Sequence, residues 1–275
     1  MEDGSMARKR PWDVRLSLYT WTKGLASGLY LVGGALLLLG DLGPDHPLWR
    51  WQIPLLALFF LVLTAGLLVS ELGHPERFYK VLLGRPQSWL TRGAYLLTAF
   101  GGLLGLHLLV SLLDWTGLYP LLAGLGLPLA LMNAAYTAYL FRQVGSTSLW
   151  LSPLLPLSLG VQAVALGAAT LLLLHPATLP AWLLPTAALA HLGLVLLEIG
   201  RQGPGFVEAL ARGERLALRL GAGLPLLGLL APWLKGMSAL AFLAGLLAYA
   251  HFLAQAGQAK DPSLGEGWRD PDARW

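Results

Sequence analysis

Long runs of Leu, Ala, Val and Gly alternate along the chain with short polar connections. A hydrocarbon core about 30 Å thick takes roughly 20 residues of α-helix to cross. That criterion predicts eight spans, at 19–40, 52–70, 92–113, 119–141, 150–174, 180–200, 216–233 and 238–256. A polar N-terminal segment (1–18) precedes them and a polar tail (257–275) follows. The seventh span has the least defined ends, because Pro225 and Pro232 interrupt it. No run shows the alternation of a membrane-barrel strand. The expected class is an all-α integral membrane protein. Met1–Ser5 reads as an extension ahead of a second possible start at Met6. No signal peptide is expected, since the first apolar run is of full spanning length.

Composition supports that class and excludes others. Of 275 residues, 56% are hydrophobic and only 12% charged, about half the charged share of an ordinary soluble domain. Gly (33 residues) and Pro (18) are abundant, as membrane helices tolerate and close helix packing favours. Nothing supports nucleic-acid binding. Cysteine is absent, which removes disulfides, a thiol nucleophile, Cys-ligated zinc and an intrinsic Fe–S cluster.

Charge adds topology. Lys and Arg fall almost entirely in one set of connections: the N-terminus, 71–92, 142–149, 201–219 and the tail. These hold 16 of the 19 basic residues, against Arg50 and Lys235 on the other side and Lys23 inside the first span. The positive-inside rule then places both termini in the cytoplasm. Trp12, Tyr19, Trp21, Trp89 and Trp150 are expected in the inner aromatic belt, and Trp49, Trp51, Trp115, Tyr119, Trp182 and Trp233 in the outer one.

One connection concentrates the polar chemistry. Between Glu71 and Arg92 lie His74, Glu76, Arg77, Lys80 and Arg85. Gly73-His74-Pro75 ends the second span, and Phe78, Val81 and Leu82 recur at helical spacing, predicting a short amphipathic helix over 75–84. Such a helix presents Arg77 and Lys80 at headgroup level, with Arg85 just beyond it. These three read as a lipid or partner-docking surface. By depth along the spans, Lys23 lies about one turn into the first helix, where it can snorkel. Asn133 and Tyr136 lie in the inner half of the fourth, Glu198 at the inner end of the sixth, and His251 in the inner half of the eighth. His191 is also intramembrane, and His107 lies in the outer half of the third span, apart from the cluster. An ionisable group in a membrane helix costs about 2.5–3.5 kcal/mol on insertion scales, so it commonly faces a cavity or a partner.

These residues form motifs: W-T-K-G-L-A-S-G at Trp21–Gly28, E-L-G-H-P-E-R-F at Glu71–Phe78, S-W-L-T-R-G-A-Y at Ser88–Tyr95, and A-Y-T-A at Ala135–Ala138. In this order they resemble the polysulfide-reductase/NrfD family of quinone-reactive integral membrane subunits. The second half matches only in helix count and character. The resemblance implies eight helices in two four-helix bundles, with menaquinone or ubiquinone bound at one membrane face. It also implies a ferredoxin-like Fe–S partner subunit and a molybdopterin or cytochrome catalytic subunit, at a prokaryotic inner membrane. Carried over by position, Lys23 and Tyr136 approach the quinone headgroup, with Lys23 standing where other members have a neutral polar residue. Glu71, His74, Arg77 and Arg92 fall in the polar connection beside it. Asn133 joins the candidate quinone site, and Glu198, His191, His251 and His107 are candidates for a proton route. Quinone carbonyls exchange protons with each electron, so donors at each oxygen and a titratable route to water are the chemistry to expect.

Two other readings fit some of the residues. A haem-b anchor would use His191 and His251 as axial ligands, although haem is the less expected cofactor. A transporter or channel would gate through the charged face, but no charged or broken-helix site lies at the midplane, where transporters bind substrate.

Overall fold

The computed structural model describes residues 14–71, 79–84, 88–144, 149–176, 180, 182–209 and 235–256. They form eight α-helices: α1 (Val14–Leu39), α2 (Ile53–Glu71), α3 (Tyr79–Leu82), α4 (Trp89–Leu112), α5 (Tyr119–Val144), α6 (Leu155–Leu174), α7 (Leu183–Ala209) and α8 (Lys235–Ala256). All except the four-residue α3 are long and apolar enough to cross a membrane. They overlap the first six expected spans and the last. The expected span at 216–233 lies outside the described residues.

The helix α1 is the hub. It packs against α2, α5, α6 and α8, and 18 of its 26 residues are buried. α2, α4 and α5 complete one group around it, through α2–α4 and α4–α5 contacts, while α6 carries both α7 and α8. α1 and α6 meet most closely at Gly28 and Gly167. A Cβ on Gly28 would fall 1.8 Å from the Ala163 carbonyl oxygen, and one on Gly167 would fall 2.1 Å from the Gly28 carbonyl oxygen. Only glycine lets the two backbones approach this far, and such close packing stands in for the hydrophobic force that lipid does not supply between helices. The outward faces remain apolar: Leu55, Phe59, Val62 and Leu63 of α2 are all exposed, as suits a lipid-facing surface.

Helix boundaries depart from expectation where local backbone chemistry intervenes. A π-helical turn, Leu48–Gln52, leads into α2, and α1 starts five residues before the expected span. Residues 149–154 are turns, so α6 starts at Leu155 with Pro156 in its first turn, a position where proline loses no helical hydrogen bond. Part of the aromatic belt is corrected too. Trp115 and Trp182 are exposed, but Tyr19, Trp49, Tyr119 and Trp150 are buried. Trp150 stacks on Phe141 at 4.8 Å and donates its indole N–H to the Leu253 carbonyl. These rings serve helix packing because each buries a large apolar area at a helix junction. Of the expected helix over 75–84, the structure describes α3 and the turn after it; residues 72–78 lie outside the described residues.

Candidate functional site

A buried lysine marks the site. With α1 starting at Val14, Lys23 is the tenth helical residue, and its side chain is only 1% exposed. It is therefore an interior group, and it does not snorkel to the headgroups, as a shallower position would have allowed. Its Nζ donates to Thr137 Oγ1 of α5 and lies 4.1 Å from the ring centroid of Tyr136, with the Tyr19 ring at 5.4 Å. The Tyr19 and Tyr136 hydroxyls hydrogen-bond to each other. Among the described residues no carboxylate forms an ion pair with Lys23. Among the described residues its Nζ is met by a hydroxyl and two ring faces, an arrangement with cation–π geometry.

The backbone explains the placement. Tyr19, Lys23 and Ser27 recur every four residues on one face of α1. On α5, Asn133 lies three and four residues from Tyr136 and Thr137 and faces the same seam. Asn133 is fully buried and donates to Ser27 Oγ at 2.9 Å, while its Oδ1 has no hydrogen-bond partner. Gly93 of α4 makes room for the Tyr136 ring: a Cβ there would strike ring carbon Cε2 at 2.2 Å. Below this layer, Thr22 of α1 and Thr64 of α2 pair at 2.8 Å. Lys23, Asn133 and Tyr136 are thus brought together as expected. Tyr19, Ser27 and Thr137 are members that sequence reading missed, although their i, i+4 spacing from expected residues was the available signal.

The remaining candidates are dispersed. Arg92 is exposed on α4, its guanidinium 4.9 Å from the ring centroid of Trp89, which itself stacks on Tyr139. Lys80 is exposed on α3. The Glu71 side chain, His74, Arg77 and Arg85 lie outside the described residues. Glu198 is buried and accepts from Ser152 Oγ at 2.7 Å. His191 packs edge-on against Tyr249, while His251 is half-buried beside Ser17 Oγ at 3.1 Å. The two imidazoles of the haem reading therefore have separate neighbours. His107 is fully buried with Tyr30 and Trp49, at the end of α4 away from Trp89. An apolar cleft of about 420 Å³ opens between α1, α5, α6 and the start of α7, and one of about 500 Å³ along α5, α6 and α7; neither is lined by Lys23 or Tyr136.

Seven apolar helices of spanning length, with a lysine and two tyrosines buried inside the first group, define a multi-pass membrane protein with a polar interior cluster. The chain belongs to the NrfD family: the family model described as polysulphide reductase, NrfD, matches residues 4–178, from before α1 to just past α6. Members of this family are membrane subunits of respiratory complexes of the Fe–S/molybdoenzyme type and assemble with other subunits of those complexes. No match was found among curated proteins.

Proposed function

We propose that this chain is the quinone-reactive subunit of a respiratory oxidoreductase complex, holding a menaquinone or ubiquinone headgroup beside Lys23 and Tyr136. The observation that carries the reading is the buried Lys23 side chain, whose Nζ donates to Thr137 Oγ1 beside the hydrogen-bonded Tyr19–Tyr136 pair and forms no ion pair among the described residues. A buried cation is costly unless something compensates it, and an electron-rich quinone oxygen is a fitting acceptor. The donor set fits such a group: an ammonium, two phenols, a threonine and an amide with one unpartnered end.

When bound, a quinone supplies two-electron, two-proton redox chemistry. Lys23 would hold one carbonyl oxygen and stabilise negative charge there. Tyr136, backed by Tyr19, would give or take the proton, and Asn133 would orient the ring. In this reading Glu71, His74 and Arg92 would form the polar rim toward water, while Arg77, Lys80 and Arg85 would meet lipid headgroups or the partner. With no cysteine in the chain, electrons pass to or from a ferredoxin-like Fe–S subunit, and through it a molybdopterin or cytochrome catalytic subunit. Glu198, His191, His251 and His107 are the groups through which proton movement would be coupled. The full architecture in this reading has an eighth span at 216–233, two four-helix bundles and both termini in the cytoplasm of a prokaryotic inner membrane.

A photoreactive menaquinone analogue tests the site. Crosslinks on α1 or α5 within a turn of Lys23 or Tyr136, competed by menaquinone, are expected. Crosslinks confined to the two apolar clefts, away from Lys23 and Tyr136, would overturn the assignment. Copurification of an Fe–S subunit is the matching test of assembly.

A further inference from the structure

The two apolar clefts join into one furrow. The cleft of about 420 Å³ and the cleft of about 500 Å³ share Leu131 of α5, Val164 of α6 and Leu183 of α7. α5 and α7 each pack on α6, so α6 is the floor and the other two are the banks. The furrow therefore follows the seam between the two helix groups. Its walls are apolar apart from Asp41, Thr186 and the Trp182 indole. Thr186 is satisfied within its own helix, donating to the Trp182 carbonyl at 2.7 Å. Ala135, Gly160, Ala187 and Ala190 keep the second cleft open, because small side chains leave width between the banks. Each cleft is of the size that holds a small apolar ligand, about 300–1,000 Å³.

Length, rim chemistry and chain connectivity say what fills it. Leu131 and Leu157 on its walls are exposed, so the furrow opens toward hydrocarbon. α1 flanks the first cleft from Leu31 to Leu39, about 12 Å along its axis, close to the roughly 15 Å that one leaflet of a 30 Å core gives an acyl chain. The mouth is acidic. Gly40, with φ of 83°, ends α1, and the Leu42 N–H donates to the Leu36 carbonyl at 3.1 Å. That closed turn holds Asp41 at the rim with Trp182, whose exposed indole suits headgroup level. Neither cleft is lined by Lys or Arg, so the rim favours a headgroup that brings its own positive charge. The chain's own apolar run at 216–233 is a poorer occupant. It ends two residues, at most about 7 Å, before Lys235 of α8. α8 meets α6 at Leu159, Ala163 and Leu166, a face turned away from Leu157, Gly160 and Val164 in the furrow.

We propose that this furrow binds one phospholipid with a zwitterionic, amine-bearing headgroup, of the phosphatidylethanolamine type, from the leaflet that meets the Leu39 end of α1. The headgroup ammonium donates to the Asp41 carboxylate, with the Trp182 indole at the same level. One acyl chain follows α1 and α5 along the first cleft, and the other reaches the second cleft between α5 and α7. The lipid fills the seam and gives both banks dispersion contacts that direct helix packing does not supply there. A purely anionic headgroup, as in phosphatidylglycerol, sets its charge against Asp41. The quaternary ammonium of phosphatidylcholine has no N–H to donate. The site stands apart from the quinone reading, since neither cleft is lined by Lys23 or Tyr136.

Native mass spectrometry tests this on the full chain, released from micelles that carry phosphatidylethanolamine, phosphatidylglycerol and phosphatidylcholine in equal amounts with identical acyl chains. One phosphatidylethanolamine per chain is expected, retained about fivefold over either competitor, the scale of one exposed ion pair. Asp41→Asn is expected to keep one lipid and lose the preference; Asp41 is exposed, so folding is not at stake. Ala35→Phe and Ala190→Phe fill the first and second clefts and are expected to cut retention several-fold, with melting curves confirming that each variant folds. Equal retention of the three lipids by the unmutated chain, or a preference unchanged in Asp41→Asn, would overturn the headgroup assignment. Undiminished retention in both filled variants would overturn the furrow. Menaquinone or a second copy of the chain, retained in place of phospholipid and lost in the filled variants, would overturn the proposal by giving the furrow another occupant.

Discussion

The Lys23 ammonium lies 4.1 Å from the centre of the Tyr136 ring, with Thr137 of the same α5 turn accepting its hydrogen bond. Two helices thereby share a buried amino group that forms no ion pair among the described residues. A group whose only role was stability would gain from being replaced by an apolar side chain of similar length, because buried charges are commonly neutral or unfavourable compared with hydrophobic packing.

Lys23→Met is therefore expected to separate function from stability. Menaquinol oxidation by the complex should fall at least tenfold, while the thermal midpoint of the purified chain holds or rises. A large loss of thermal stability with normal turnover would place Lys23 in the scaffold instead.

Tyr19 and Tyr136 give a second separation. Tyr136→Phe strands the Tyr19 hydroxyl, although Thr137 remains within its reach, so a cost of about 1 kcal/mol is expected. Adding Tyr19→Phe removes the stranded group, and the double variant should recover much of that loss. Denaturation of the four members of the cycle measures the coupling. Quinol turnover should stay low in both Tyr136 variants, since packing can be restored without restoring the proton donor.

The Gly28–Gly167 crossing explains how α6 reaches α1. With a Cβ on Gly28 falling 1.8 Å from the Ala163 carbonyl oxygen, Gly28→Ala must push two backbones apart, at an expected 1–3 kcal/mol, about the usual cost of overpacking. Gly102→Ala on α4 is the control, because nothing lies within 4 Å of its added Cβ. Melting curves in one detergent should show a drop for the first and little change for the second.

Seven spans were legible because runs of about 20 apolar residues have no other stable home than a bilayer. Lys23, Asn133 and Tyr136 were legible as costly groups in apolar surroundings. Depth was misjudged at Lys23, because the polar residues before position 19 belong to α1 and helix continuity outweighs their composition. Tyr19, Trp49 and Tyr119 were assigned to belts since amphipathic aromatics favour interfaces on average; which of them face inward depends on helix rotation, set by partners remote in sequence. His107 illustrates the same limit. Its isolation along the chain hid Tyr30, 77 residues away, as its hydrogen-bond partner, and α4 alone does not reveal which helix its face meets.

Asp114 carries the last prediction, because two physical effects at this residue can be separated. Its side chain pairs with Arg50, yet it is 72% exposed, and exposed pairs contribute about 0–1 kcal/mol. Its backbone has φ of 57°, alone in the left-handed region among the described non-glycine residues. Asn tolerates that conformation, whereas a β-branched residue does not. Asp114→Asn removes the charge and keeps the backbone preference, so a loss below about 1 kcal/mol is expected. Asp114→Val loses both and should cost about 1–2 kcal/mol more. If the two variants melt together, the turn between α4 and α5 is held by the ion pair and not by its backbone. If Asn is mild and Val severe, the left-handed residue fixes the turn, and with it the register that sets Ser111 against both Arg50 and Tyr119.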